Sequence, residues 1–214
     1  MYAGRIVAAG RTRSGANAAL YRVSSRSFPN RPAVDLGGRL AIVPREGHEG
    51  DVYKNPYIAY NCLRIADTFA IATNGTQTDP VAEKIAAGTA PRDALVQALS
   101  TLDYEKDDYN TPRIAAVVPE AGDEAWLGIV RHDALIVRAV PLVAGRATWL
   151  STYEGDEIQL PGGPQEFDFD AGDALEAARF VVTGGDFSKL TNPVTSAAAL
   201  ATTRGFELAT YQVP

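Results

Sequence analysis

The 214-residue sequence is poor in the residues that hold metals and disulfides. It has one cysteine, Cys62, and two histidines, His48 and His132. A single cysteine excludes an internal disulfide and a cysteine-based metal cluster. The histidines lack the spacing of a helical zinc motif, and no GxSxG elbow supplies the serine of a Ser-His-Asp triad. We expect both histidines to be structural or exposed, and Cys62, inside an apolar strand, to be a buried thiol.

Long apolar runs and lysine are also scarce. No stretch approaches 18 consecutive apolar residues, and residues 1–10 lack the apolar run of a signal peptide, so we expect no membrane span and a cytoplasmic location. The net charge of −6 argues against a nucleic acid as partner. Only four of the twenty basic residues are lysines. An acid-rich, lysine-poor surface indicates a halophilic source, although a GC-rich genome would also replace Lys by Arg.

The pattern of apolar residues predicts strands and helices in separate clusters. Strands are predicted at residues 2–9, 19–24, 40–43, 58–65, 68–73, 114–118, 125–130, 134–140, 147–151 and 206–213. Helices are predicted from Thr78-Asp79-Pro80, from Pro91, from about Asp173 to Val182 before Gly184-Gly185, and at residues 194–203. Residues 159–164, rich in Pro and Gly, are predicted to form a surface loop.

This order of elements disfavours a doubly wound parallel sheet, because strands and helices do not alternate strictly. We predict an α+β fold in four layers, with two stacked antiparallel sheets flanked by helices. The length suits one domain, residues 1–214. No dinucleotide fingerprint or P-loop is present.

The first of three polar segments spans residues 21–31 (YRVSSRSFPNR), at the end of a predicted strand. It contains three arginines, three serines and an asparagine. Guanidinium groups bind phosphate and carbonyl oxygens, and serine hydroxyls with loop N–H groups can complete an anion-binding cradle. We interpret the segment as an anion site, with a solvated polar turn as the alternative.

The second polar segment spans residues 55–62 (NPYIAYNC). The alternation of a strand places Tyr60 on one face and Asn61 on the other. Two tyrosines and two asparagines suit a flat heterocycle that bears amide groups. A half-buried aromatic strand is the alternative interpretation.

The third polar segment spans residues 103–113 (DYEKDDYNTPR), between a predicted helix and a predicted strand. A carboxylate beside an ammonium group and tyrosines could bring a general base close to an electrophilic donor. Taken alone, a charge run of this kind is typical of a solvated surface.

Taken together, these segments resemble the archaeal IMP cyclohydrolase family. The resemblance is carried by residues 21–31, 55–61 (NPYIAYN), 103–107 (DYEKD) and 110–115 (NTPRIA), and extends to GRI at residues 4–6, EGHE at 46–49, STYE at 151–154 and PVT at 193–195. Several motifs in family order are far more specific than any one of them.

The resemblance implies closure of the second purine ring, from 5-formamidoimidazole-4-carboxamide ribotide (FAICAR) to IMP with loss of water. It also implies a four-layered αββα fold like that of the Ntn hydrolases, without their N-terminal nucleophile, and Tyr2 could not serve as one. Members of the family need no metal or organic cofactor. They assemble as homo-oligomers, so a homotetramer is expected.

Residue chemistry and the resemblance together suggest a role for each candidate. We assign Arg31 and Lys106 to stabilising or protonating the formyl oxygen, Tyr60 to donating a proton as the hydroxyl departs, and Glu105 to accepting the carboxamide proton. The remaining candidates are substrate-binding residues: Ser25, Arg26 and Asn30 for the nucleotide and its phosphate, and Tyr57, Asn61, Asn110 and Arg113 for the base and ribose.

Two other functions remain open from the sequence. A linear-amide hydrolase on an Ntn-like scaffold would need processing to expose a new N-terminal Ser, Thr or Cys. A non-catalytic module would bind IMP without turnover and would leave the neighbouring Glu105 and Lys106 without a purpose.

Overall fold

The computed structural model describes residues 2–153 and 166–214. The predicted loop at residues 159–164 lies outside these ranges. The strands are β1 (Arg5–Arg11), β2 (Asn17–Ser24), β3 (Ala33–Asp35), β4 (Arg39–Ile42), β5 (Tyr60–Ala66), β6 (Phe69–Thr73), β7 (Arg113–Pro119), β8 (Glu124–Val130), β9 (Leu135–Pro141), β10 (Arg146–Ser151), β11 (Glu166–Asp168), β12 (Pro193–Thr202) and β13 (Gly205–Gln212). The helices are α1 (Asp51–Lys54), α2 (Thr78–Ala86), α3 (Pro91–Leu102) and α4 (Ala174–Thr183), with 3-10 turns at Pro56–Ile58 and Gly185–Lys189.

The strands form two antiparallel sheets. One sheet has the order β11-β10-β1-β2-β12-β13, and the other runs β3-β4-β5-β6-β7-β8-β9. None of the helices in the described ranges is long and apolar enough to cross a membrane.

Three apolar layers hold the two sheets and the helices together. Val7, Tyr21, Leu63 and Ile114 belong to the layer between the sheets. The six-stranded sheet packs its other face against α4, and the seven-stranded sheet packs its other face against α2 and α3. The predicted α+β sandwich with four layers is therefore confirmed.

Most predicted elements lie within a few residues of the observed ones. Helix α4 begins next to Asp173, close to the predicted start, and Asp173 caps it, because its side chain accepts a hydrogen bond from the backbone N–H of Glu176 at 2.7 Å. Cys62 is fully buried as predicted, and burial raises the pKa of its thiol.

The predicted fourth helix at residues 194–203 is wrong, because that segment forms strand β12. Its run of alanines favours a helix on intrinsic propensity. In the fold, β12 lies between β2 and β13 and is covered on both faces. Ala197 and Ala199 face the other sheet, while Ala198 and Leu200 face α4. Small side chains fit both packed layers, so tertiary packing overrides the local preference.

A fully buried arginine on β2 ties this sheet to the end of α4. The Arg22 guanidinium donates to the carbonyl oxygens of Val181 at 3.2 Å, Phe187 at 2.8 Å and Leu190 at 2.9 Å. Burial lowers the pKa of Arg22 to about 10, which leaves it a cation at neutral pH. The side chain thus satisfies carbonyl groups that the last turn of a helix leaves without partners.

Arg22→Met is expected to destabilise the protein strongly. The substitution leaves several buried carbonyl oxygens without a hydrogen-bond donor, so we expect the free energy of unfolding to fall by about 3–5 kcal/mol. Urea unfolding followed by circular dichroism measures the change. Arg92→Met, at an exposed position of α3, is the matched control. Equal unfolding midpoints for the two variants would contradict this role of Arg22.

Candidate active site

A cavity of about 290 Å³ opens where three connections of the fold meet the N-terminal segment. The connections follow β2, precede β5 and join α3 to β7. The lining residues are Tyr2, Arg5, Ser25, Arg26, Ser27, Phe28, Arg31, Asn55, Tyr57, Ile58, Glu105, Asp107, Tyr109 and Tyr153. All of them except Tyr2, Arg5 and Tyr153 belong to the three polar segments of the sequence, so the fold brings these segments to one place.

Glu105 projects into this cavity from the connection between α3 and β7. Its backbone N–H donates to the carbonyl of Thr111 at 2.8 Å, and its side chain is 1% exposed. One carboxylate oxygen, Oε2, accepts a hydrogen bond from Arg5 Nη2 at 2.7 Å. The other oxygen, Oε1, lies 3.9 Å from Arg113 Nη1 and is buried without a hydrogen-bond partner among the described residues. Glu105 therefore keeps one acceptor oxygen that no described residue uses.

The charge state of Glu105 is set by opposing effects. Burial raises the pKa of its carboxyl group above the ordinary value of 4.5, while the neighbouring Arg5 and Arg113 lower it. The net direction is upward. For Arg5, burial acts to lower the pKa, but Glu105 and nearby tyrosines raise it overall, so Arg5 stays a cation. A carboxylate with a raised pKa beside fixed cations has the properties of a general base.

Arg113 is held behind Glu105 by a buried polar network. Its Nε donates to the carbonyl of Asp103 at 2.8 Å, and its Nη1 donates to Gln77 Oε1 at 2.9 Å. Gly75 makes room for this arrangement, because a Cβ there would lie 2.6 Å from Arg113 Nη1. Arg113 lies outside the cavity lining and borders it through Glu105 and Tyr57, whose ring centroid is 5.6 Å from the Arg113 guanidinium carbon.

Arg31 is a buried cation in the lining of the cavity. It is 3% exposed, it makes no ion pair within the described residues, and its Nε has no hydrogen-bond partner there. Arg5 and Arg26 also line the cavity, so its lining has three arginines and two carboxylates, Glu105 and Asp107. The Asp107 carboxylate is already engaged by the backbone N–H and hydroxyl of Thr111 at 2.9 and 2.7 Å. The cavity is thus locally positive in an acidic protein and suits an anion.

Tyr60 lies beneath the cavity and is 8% exposed. Burial raises the pKa of its hydroxyl, while Arg31 and Arg5 lower it and Glu105 raises it. Tyr60 is therefore close enough to Arg31 and Glu105 for their charges to act on it. These three proposed participants in the chemistry come together, as the hypothesis requires.

Three tyrosines form one wall of the cavity, here called the tyrosine wall: Tyr2, Tyr109 and Tyr153. The rings of Tyr2 and Tyr153 stack with centroids 5.7 Å apart, and Tyr109 meets Tyr153 edge-on at 6.4 Å. Arg26 lies over the Tyr2 ring at 4.0 Å. Such a wall offers aromatic faces to a heterocycle beside a guanidinium group.

Six candidates from the sequence lie outside the cavity lining: Tyr60 and Arg113, described above, and Lys106, Asn61, Asn30 and Asn110. Lys106 is exposed, with its Nζ 2.5 Å from Asp103 Oδ2 and 3.4 Å from the centroid of the Tyr104 ring. Asn61 donates to Asp79 on α2 at 2.8 Å. Asn30 contacts His48 Nδ1 at 3.3 Å, and Asn110 is an exposed turn residue with a φ of 49°. Ser25, Arg26, Arg31, Tyr57 and Glu105 do line the cavity.

Arg5 is the main site residue that reasoning from the sequence missed. It begins strand β1, RIVAAGR, directly before the apolar run IVAA, and is only 8% exposed. An arginine beside a buried apolar run must find a partner, and this was the available signal. His48 and His132 are exposed, as predicted. In the part of the chain that the structure describes, no three His, Cys, Asp or Glu side chains are grouped to hold a metal ion.

The fold and the site define an αββα sandwich protein with a polar, anion-receptive cavity that contains a buried acid–base group. The chain belongs to the family of IMP cyclohydrolase-like proteins, whose model matches residues 2–205. It is 47% identical to an IMP cyclohydrolase of Methanosphaera stadtmanae, over 93% of this chain and 94% of that protein. It is 45% identical to an IMP cyclohydrolase of Natronomonas pharaonis, over 99% of this chain and 98% of that protein. It is 41% identical to that of Methanocaldococcus jannaschii, over 98% of each chain.

Proposed function

We propose that this chain is an IMP cyclohydrolase, which converts FAICAR to IMP and water. The observation that carries the proposal is a buried carboxylate oxygen on Glu105 without a hydrogen-bond partner among the described residues. The same cavity lining holds a buried cation, Arg31, that makes no ion pair with any described residue. One group accepts a proton and the other stabilises negative charge. Ring closure of FAICAR needs both.

The reaction joins two groups of the same substrate. The carboxamide nitrogen attacks the formyl carbon, a C–N bond forms, and the formyl oxygen becomes a hydroxyl. That hydroxyl then leaves as water while the formamide nitrogen loses its proton and a C=N bond forms. Because both groups are already on one ring, the protein contributes most by rotating them into contact and holding them there.

The side chains at the cavity match these steps. The Glu105 carboxylate accepts the proton of the carboxamide nitrogen as the C–N bond forms and passes it to the formyl oxygen, which becomes the hydroxyl. Arg31 stabilises the negative charge that develops on the formyl oxygen. Tyr60 donates a proton to the departing hydroxyl, and the proton lost from the formamide nitrogen replaces it. Arg5 holds Glu105 in place through its 2.7 Å hydrogen bond.

The remaining lining residues suit the nucleotide. Arg26 and the serine hydroxyls of the connection after β2 are proposed to bind the phosphate. The tyrosine wall and Tyr57 are proposed to enclose the imidazole ring and ribose. The binding roles of Asn30, Asn61, Asn110 and Arg113 stay predictions, since these side chains lie outside the cavity lining.

Lys106→Met tests whether Lys106 acts at the formyl oxygen. That role requires the ammonium group to leave Asp103, whose Oδ2 is 2.5 Å from Lys106 Nζ. If Lys106 stabilises the oxyanion, the substitution lowers kcat about 10²-fold or more. A kcat within about twofold of wild type would indicate that Arg31 alone stabilises the formyl oxygen. Steady-state kinetics on FAICAR provide the measurement, with Lys84→Met on α2, whose ammonium group donates to Gln97, as the matched control.

The proposal extends to location and assembly. We propose a cytoplasmic homotetramer, supported by the family resemblance and by the absence of an apolar run in the sequence. The Natronomonas pharaonis relative comes from a halophile, which agrees with the salt-rich origin that the acidic, lysine-poor composition predicts. Light scattering after size-exclusion chromatography at high and low salt tests the assembly, and a monomer at both salt concentrations would contradict it.

One assay tests the function directly. Purified protein is mixed with FAICAR at high and low salt, and formation of IMP is followed by its ultraviolet absorbance. Turnover in at least one condition is expected. Binding of IMP without turnover in either condition would instead indicate a non-catalytic nucleotide-binding module.

A further inference from the structure

A buried pair of tyrosines lies directly beneath the cavity. Tyr21 on β2 and Tyr60 on β5 come from facing sheets, and their hydroxyl oxygens are 2.5 Å apart. Their rings meet edge-on with centroids 6.4 Å apart. Tyr21 is fully buried, whereas Tyr60 is 8% exposed. The proposed chemistry uses Tyr60 and leaves Tyr21 without a role.

The direction of the hydrogen bond between the two hydroxyls follows from counting donors. In the described ranges, the Tyr21 hydroxyl has no hydrogen-bond partner other than Tyr60. Cys62 is near, but its thiol donates to the carbonyl of Leu40 at 3.3 Å and makes no hydrogen bond with Tyr21. If Tyr60 donated to Tyr21, the proton of Tyr21 would be buried without an acceptor, which is unfavourable. Tyr21 is therefore the donor and Tyr60 the acceptor.

This direction leaves the proton of Tyr60 unused inside the protein. A phenol has one proton to donate. Because Tyr60 receives a hydrogen bond from Tyr21 on the core side, its own proton is free to point to the cavity, where Arg31 and Glu105 lie.

We propose that Tyr21 is a positioning residue for ring closure, which aims the Tyr60 proton into the cavity by donating its own hydroxyl proton to the Tyr60 oxygen. This inference rests on the proposed function. When Tyr60 gives its proton to the departing hydroxyl, water forms and a phenolate remains. The phenolate accepts the hydrogen bond from Tyr21 and lies near Arg31, until the proton released by the formamide nitrogen restores the phenol.

The electrostatics of the pair agree with this direction. Burial raises the pKa of both hydroxyls, and the hydrogen bond between them lowers that of Tyr60 while raising that of Tyr21. The charged groups that act on Tyr60 are Arg31 and Arg5, which lower its pKa, and Glu105, which raises it. A donated hydrogen bond thus makes the Tyr60 proton easier to give.

A double-mutant cycle tests this inference. kcat and KM for FAICAR are measured for wild type, Tyr21→Phe, Tyr60→Phe and the double variant, each shown to be folded by circular dichroism. Tyr21→Phe is expected to lower kcat about tenfold, the value of one hydrogen bond, with little change in KM. In the Tyr60→Phe background the same substitution is expected to leave kcat unchanged. An equal loss in both backgrounds, or no loss in either, would overturn the inference.

The pH dependence of kcat distinguishes a positioning role of Tyr21 from a purely structural one, because a structural role would not shift the profile. Loss of the Tyr21 donor raises the pKa of Tyr60, so the alkaline limb of kcat is expected to move to higher pH in Tyr21→Phe. Replacement of Tyr21 by 3-fluorotyrosine preserves the hydroxyl and makes it a stronger donor. It should move the limb to lower pH, and an unchanged limb would overturn the inference even if Tyr21→Phe did not fold. A wild-type protein inactive on FAICAR would instead reject the proposed function, and the role of Tyr21 with it.

Discussion

Glu105→Gln is expected to lower kcat for ring closure about 10²–10⁴-fold, the usual contribution of a general base. Glutamine keeps the shape of the side chain but cannot accept the carboxamide proton. Arg5 also loses its anionic partner, at a hydrogen bond of 2.7 Å. Because glutamine keeps the size of the side chain and one acceptor oxygen, KM is expected to change much less than kcat. Steady-state kinetics on FAICAR measure both constants.

The matched control for this variant is Glu83→Gln on α2. Glu83 is exposed, and its only ion pair in the described structure is a 4.0 Å contact with Arg64. The Glu83→Gln substitution removes the same charge at a residue outside the cavity lining, so the kcat of this variant should equal that of wild type. A Glu105→Gln variant with wild-type turnover at saturating FAICAR would show that Glu105 is not the base.

The same carboxyl group predicts the acid side of the pH profile. A general base works only when ionised, so activity is lost as the pH falls through its pKa. Since burial raises the pKa of Glu105 above 4.5, the acid limb should lie above that value. In Glu105→Gln this limb should disappear from the residual activity. An acid limb that persists unchanged in the variant belongs to another group.

Arg31→Met is expected to produce the second large loss. Removing a donor to a developing oxyanion typically costs about 3–4 kcal/mol, or 10²–10³ in kcat. Arg31 is suited to this task because it is buried and lacks a counter-ion among the described residues. Methionine preserves much of its apolar stem, so the protein should still fold and even gain some stability from losing an uncompensated buried charge.

The control for Arg31→Met is Arg204→Met, at an exposed position between β12 and β13. Both variants lose one positive charge, which removes any general effect of net charge on an anionic substrate. Arg204→Met should match wild type. If Arg31→Met raises KM alone and leaves kcat intact, Arg31 binds the ground state, for example the phosphate, and does not stabilise the transition state.

The sequence predicted the strands well where short apolar runs are bounded by turn residues. On β2, Ala19, Tyr21 and Val23 face the other sheet, while Ala18 and Leu20 face α4, and both sets are buried. The failure at β12 came from alanine, whose preference for helices carries no information about the layers that cover it. Packing between a sheet and a helix is a long-range property, and a local pattern cannot specify it.

The site was predictable as three segments and less so as individual contacts. Dense polar residues in irregular segments marked the lining around Arg31, Tyr57 and Glu105 correctly. The orientation of the Lys106 side chain could not be predicted from the sequence around it, because Asp103 lies three residues away and binds its ammonium group. Arg5 is 100 residues from Glu105 in the chain, so only the fold could reveal that ion pair.

A crystal structure of the Glu105→Gln variant with FAICAR tests the central claim most directly. We predict that the substrate lies in the cavity, with its carboxamide nitrogen within hydrogen-bond distance of the side chain at position 105 and its formyl oxygen facing Arg31. A ligand bound elsewhere on the protein, or one whose formyl and carboxamide groups contact neither residue, would contradict the claim that ring closure takes place here.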